Sequence, residues 1–147
     1  MRVLVLHGPN LNLLGTREPD IYGTTTLEAI DRALAEVATE LGARVECRQS
    51  NHEGVLIDWV QQSIDSFDGL LVNFGALSHS SLALGDALRA VPLPCVEVHL
   101  SNIHGREPFR QVTHSGAAAL GIVTGFGPDS YLLGLRGLLG YLGRTCG

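Results

Sequence analysis

Two spacings of apolar residues alternate along this chain. Short unbroken runs such as RVLVL give way to segments in which apolar residues recur every three or four positions, and the exchange occurs five times. Alternation of this kind predicts parallel strands joined by helices, with the Val/Leu/Ile-rich strands covered on both faces. The predicted strands are Arg2 to Leu6, Arg44 to Arg48, Gly69 to Asn73, Pro94 to Val98 and Leu120 to Thr124.

The first helix has the clearest signals. Thr25-Thr26-Leu27-Glu28 reads as a capping box, Leu27, Ile30, Leu34, Val37 and Leu41 share one face, and Gly42 supplies the stop. Leu56, Val60, Ile64 and Phe67 repeat the pattern in a second helix. A third is predicted over Ser80 to Ala90, and a last one from Pro128 through a Leu-rich stretch to Leu142. The interval from His99 to Ala118 is too long for an idle connection; it is either functional or holds a short helix of its own. No linker, repeat or low-complexity tract divides the chain, so residues 1–147 are read as a single domain.

In such sheets ligands sit beyond the carboxyl ends of the strands. The unusual polar residues fall there: HGPNLN after the first strand, QSNHEG after the second, NFGALSHSS after the third and HLSNIHGRE after the fourth.

Composition narrows the chemistry. The net charge of -5, without a basic run, argues against nucleic acid or an anionic membrane as partner, and no apolar run approaches bilayer length. The start of the chain shows no secretory h-region, which makes cytoplasm the expected compartment. Cys47, Cys95 and Cys146 are scattered, as reduced packing residues would be. All ten basic residues are Arg, so a lysine Schiff base and a P-loop lysine are both excluded. GxGxxG, GxSxG and HExxH are absent. The six His include His99 and His104 at a zinc-like spacing, but no Cys pair or acidic cluster goes with them, so the expectation is no metal and no cofactor.

Acid–base chemistry remains. Tyr22 follows Arg17 in a loop of turn residues, and a nearby guanidinium can turn a phenol with a pKa near 10 into a general base, since lowering a pKa by one takes only about 1.4 kcal/mol. Taken alone, that stretch reads more simply as a half-buried loop anchor, Tyr22, beside a solvated surface charge, Arg17. Glu97 and His99 point to the same side of a strand end, which suits a carboxylate orienting an acid–base imidazole. The amides of Leu100, Ser101 and Asn102 could bind a carboxylate, while Asn10, Asn73, His79, Asp86 and Arg110 suit a polyhydroxylated anion. A flavodoxin-like binding module and a His-dependent metal hydrolase are the alternatives; the first lacks its Thr/Ser-rich phosphate loop and the second its acidic ligands.

HGPNLNLLGTREPDIYG, QSNHEGVLIDW, VNFGALSHSSLALGDAL, VEVHLSNIHGREPFR and GIVTGFGPDSYLLGL, in this order, resemble the type II dehydroquinases. The resemblance implies an α/β flavodoxin-like three-layer sandwich with a five-stranded parallel sheet, a dodecamer built from trimers, and dehydration of 3-dehydroquinate in the shikimate pathway. It implies Tyr22 as base, Arg17 as holder of the phenolate, Asn10 as stabiliser of an enolate, and His99 on Glu97 as acid. Asn73, His79, Arg110 and the Leu100 and Ser101 amides would bind substrate, Arg106 would support the loop, and Asp86 would enter from a neighbouring subunit. The chain departs from the family pattern at Pro108, at His114 where Tyr is usual, and at Gly85 where Arg is common.

Overall fold

The computed structural model describes residues 1–16, 20 and 24–146. Among them, five strands form one parallel sheet: β1 (Arg2–His7), β2 (Arg44–Gln49), β3 (Gly69–Asn73), β4 (Cys95–His99) and β5 (Gly121–Thr124), in the order β2-β1-β3-β4-β5. Each lies within a residue of its predicted span. Predicted Pro94 and Leu120 stay outside the ladder, whereas His7, Gln49 and His99 extend it toward the edge that carries the polar loops.

The helices are α1 (Leu27–Glu40), α2 (Glu53–Gln62), α3 (Leu77–Ser80), α4 (Leu82–Ala90), α5 (His114–Ala117) and α6 (Asp129–Cys146). Alternate residues of the central strands feed two cores. Val3, Val5, Leu71, Val96 and Val98 pack beneath Ile30, Leu34, Leu135 and Leu138 of α1 and α6. Leu4, Leu6, Leu70 and Val72 meet Leu56, Val60, Leu84 and Leu88 of α2 and α4 on the opposite face. Period-2 strands between two apolar helix stripes thus give the three-layer, flavodoxin-like sandwich. The edge strands are less covered than expected: β2 is mostly half-buried, and Ile122 of β5 is exposed.

Local signals shift in small ways. The cap of α1 is Thr26, which accepts from Ala29 N at 3.2 Å, so Thr25 lies outside the helix. Leu41 follows the last helical residue and is exposed; Gly42, with φ of +73°, makes the left-handed exit. α2 tightens into a 3-10 turn at Ser63–Asp65, which rotates Ile64 to the surface while Phe67 still reaches the core. The third predicted helix is split: Leu77–Ser80 is a separate turn, and Ser81 caps α4 by accepting from Leu84 N at 3.0 Å. The long interval after β4 holds 3-10 turns at Ile103–Gly105 and Pro108–Arg110 as well as α5.

The order β2-β1-β3 reverses the winding direction at β1, which opens a crevice between the loops leaving β1 and β3. His7 pairs in register with Asn73, and β4 places His99 on the same edge.

Candidate active site

A pocket fills that crevice. It is lined by Pro9, Asn10, Leu11, Asn73, Gly75, Ala76, His79, His99, Leu100, Ser101, Ile103, Arg106 and Arg110, around ≈ 510 Å³ of space with the open mouth included. The loop after β1 approaches closely: a Cβ on Gly8 would stand 2.4 Å from the Phe74 carbonyl carbon, so only glycine fits. Asn10 then takes φ of +70°, a conformation Asn tolerates better than most residues, and leads into the turn Leu11–Leu13 without a side-chain bond to it. The loop after β2 braces this one. Asn51 Oδ1 accepts from Asn10 N at 3.0 Å, and Gln49 Nε2 donates to Gly8 O at 3.1 Å.

A carboxylate and an imidazole meet at the end of β4. Glu97 and His99 sit two apart on β4, both buried, with His99 Nε2 2.9 Å from Glu97 Oε2. This leaves Nδ1 as the ring nitrogen available to the pocket. Buried Ser115, which sequence reasoning missed, donates its hydroxyl to the other oxygen, Glu97 Oε1. The carboxylate therefore has a partner at each oxygen, as a buried charge requires. His79 stacks on His99 with ring centroids 5.8 Å apart and has Nδ1 3.0 Å from Val112 O. Burial depresses the His79 pKa below its ordinary value, which keeps it neutral beside a second imidazole.

Two guanidinium groups close one side. Arg106 Nη1 donates to Ser101 Oγ at 3.4 Å, and Arg110 Nε donates to Glu107 Oε2 at 2.8 Å. The Glu107 carboxyl is held below the usual carboxylate range by its own backbone N–H and then by Arg110. Thr124 Oγ1 donates to Ser101 O at 2.7 Å and Gly127 N to Leu100 O at 2.9 Å. With its carbonyls tied off on the β5 side, this loop has N–H groups to offer an anion.

Ten of the sequence-derived residues are in the described part. Asn10, Asn73, His79, His99, Leu100, Ser101, Arg106 and Arg110 line the pocket, with Glu97 directly behind His99. Asp86 does not join them; it is exposed on α4, 3.7 Å from Arg89. Arg17 and Tyr22 lie outside the described residues. The departures at Gly85 and His114 meet each other, since a Cβ on Gly85 would stand 2.8 Å from His114 O. A glycine there lets α5, and with it Ser115, settle against α4.

The molecule is thus a flavodoxin-like α/β protein with an imidazole–carboxylate pair, amides and guanidinium groups gathered at its winding switch point. A family model described as "Dehydroquinase class II" matches residues 1–139. A 3-dehydroquinate dehydratase of Geotalea daltonii is 54% identical over 142 residues, covering 97% of this chain and 99% of that protein. One from Synechocystis is 55% identical over 141 residues, covering 96% and 93%. Among solved structures, the type II dehydroquinase of Propionibacterium acnes superposes with a TM-score of 0.90 at 42% identity, covering 95% of this chain and 96% of that one. That of Butyrivibrio crossotus gives 0.92 at 39%, covering 94% and 97%. The chain belongs to the class II dehydroquinase family.

Proposed function

We propose that this protein is a 3-dehydroquinate dehydratase, a hydro-lyase of the shikimate pathway that converts 3-dehydroquinate to 3-dehydroshikimate by way of an enolate. The observation that carries the reading is the convergence of Asn10, Asn73, His79, His99, Ser101 and Arg110 on one pocket, with Glu97 locked behind His99.

Tyr22, as the phenolate held by Arg17, takes a proton from the carbon beside the ketone. Asn10, through a bridging water, stabilises the enolate oxygen. The second step expels the hydroxyl as water: His99, its ring held by Glu97, supplies the proton at Nδ1, and the new double bond is conjugated with the ketone. Asn73, His79, Arg110 and the Leu100 and Ser101 amides hold ring hydroxyls and the carboxylate, while Arg106 supports the loop through Ser101. None of these steps calls on a cofactor or metal.

Residues 1–147 act as one domain, and the working assembly is a dodecamer of trimers in which Asp86 enters a neighbour's pocket. Leu82 and Asp86, one turn apart on α4, are both exposed, as are Phe109 and Val112 near the pocket mouth; apolar groups of that size suit a subunit contact. No helix among the described residues is long and apolar enough to cross a membrane, in keeping with a cytoplasmic enzyme. Ultraviolet absorbance tests the reading: 3-dehydroquinate with the purified protein in chelator should yield the conjugated enone, and Tyr22→Phe should not. A folded wild type that yields none refutes it. Light scattering that finds a monomer would remove the shared-site role of Asp86.

A further inference from the structure

Behind the pocket lies a buried polar chain that the reaction as described leaves unused. His7 closes β1, faces Asn73 across the ladder and is fully enclosed. Its Nδ1 is 2.8 Å from the hydroxyl of Tyr131, in the first turn of α6, and its Nε2 is 2.7 Å from Asp31 Oδ1 on α1. Tyr131 is itself fully buried, and the Asn73 side chain lies against its hydroxyl. Asn73 Oδ1 in turn accepts from Gly75 N at 3.1 Å.

We propose that Asp31, His7 and Tyr131 are positioning residues that fix which way the Asn73 amide faces, so that the pocket meets its NH2 group. For a neutral His7 imidazole the donors and acceptors allow one arrangement. A carboxylate only accepts, so His7 carries its proton on Nε2 and gives it to Asp31. Nδ1 is then an acceptor, and the Tyr131 hydroxyl must donate to it. Burial, well ahead of the opposing Asn73 contact, pushes the Tyr131 pKa far up and keeps that hydroxyl protonated. With its hydrogen spent on His7, the Tyr131 oxygen can only accept from Asn73, which turns Nδ2 toward it. The Gly75 N–H demands the same orientation from the other end. Asn73 therefore presents its remaining N–H to a substrate hydroxyl or carboxylate.

Cys47 brings a third metal-ligand type near, since His7, Asp31 and Cys47 offer atoms within 4.8 Å of one another. The 2.7 Å between Nε2 and Oδ1 is the length of one shared proton. Ligands about 2.0–2.2 Å from a tetrahedral cation stand roughly 3.3 Å apart. The geometry is a hydrogen-bond chain.

The test uses the full chain with Asp31→Asn, Tyr131→Phe and Cys47→Ala. Asp31 suits substitution because its side chain is 35% exposed, so the change should leave the fold intact. Nitrogen-15 NMR without substrate should find His7 as the Nε2–H tautomer in the wild type. The Asn73 side-chain NH2 signals should shift in Asp31→Asn, although that residue is two hydrogen bonds beyond Tyr131, and should stay put in Cys47→Ala. Steady-state assays should show KM for 3-dehydroquinate raised about 10-fold in Asp31→Asn and Tyr131→Phe with a smaller change in kcat, in line with a misplaced binding group. An Nδ1–H tautomer in the wild type, or Asn73 signals unmoved by Asp31→Asn, would overturn the proposal. So would a chelator-sensitive KM that Cys47→Ala abolishes. The kinetic arm rests on the dehydratase reading and the NMR arm does not: wild type with the expected tautomer but no turnover would sink only that reading.

Discussion

Replacing Ser115 with Ala should weaken the fold and the acid step together. Ser115 and Glu97 are both fully buried, and the hydroxyl is the sole described side-chain donor to Glu97 Oε1. A hydrogen bond to a buried charge contributes about 1.5–3 kcal/mol. At about 2–4 °C per kcal/mol for a domain of this size, Tm should fall by roughly 3–12 °C. Glu97 keeps its bond to His99, so catalysis should be reduced rather than abolished. Against a total worth of about 100- to 10,000-fold for a positioned acid, a loosened carboxylate should cost kcat roughly 3- to 10-fold, with KM little changed. Thr113→Ala is the matched control. Thr113 Oγ1 caps the same short helix by accepting from Gly116 N at 3.1 Å, so its loss should cost about 1 kcal/mol without touching Glu97. Urea unfolding and saturating-substrate kinetics read both quantities. A lower Tm with wild-type kcat would confine Ser115 to a structural role, and wild-type values of both would refute the reasoning.

Other outcomes follow from the same geometry. Tyr22→Phe and Arg17→Ala should each remove most turnover while circular dichroism and Tm stay near wild type; near-normal rates in either would displace the proposed base. Gly8→Ala, whose Cβ would stand 2.4 Å from backbone atoms of Phe74, should lower stability by about 1–3 kcal/mol and also reduce activity, because the loop carrying Asn10 must move. His79 contributes a pH dependence of known sign. Its folded-state pKa is depressed, chiefly by burial, so below the ordinary 6.5 the unfolded chain binds more protons and stability declines as pH falls. His79→Gln should flatten that decline, and an unchanged stability–pH curve would contradict it.

The sheet was legible because its strands are short apolar runs whose positions composition alone marks, and the pocket was legible because its residues cluster after those runs. What escaped the sequence depends on contacts between distant segments. Ser115 meets Glu97 from 18 positions away, and nothing local distinguishes it from other loop serines. His7 counted only as one of six histidines, Asp31 lies among the apolar positions of α1, and Tyr131 is set in a Leu-rich helix; only folding joins them. Ile64 illustrates a different failure. The 3.6-residue period places it inside, but the tightened turn at Ser63–Asp65 changes the angular step and turns it outward.

The central claim is a two-step elimination with base and acid on different loops, and deuterium exchange separates the two. In D2O, His99→Ala should still let the base exchange the proton beside the ketone, so proton NMR should show recovered 3-dehydroquinate labelled at that carbon while little 3-dehydroshikimate forms. Label without product would place His99 after the enolate, as a stepwise elimination requires. Full-rate product formation by His99→Ala, or the absence of both exchange and product in folded wild-type protein, would contradict it.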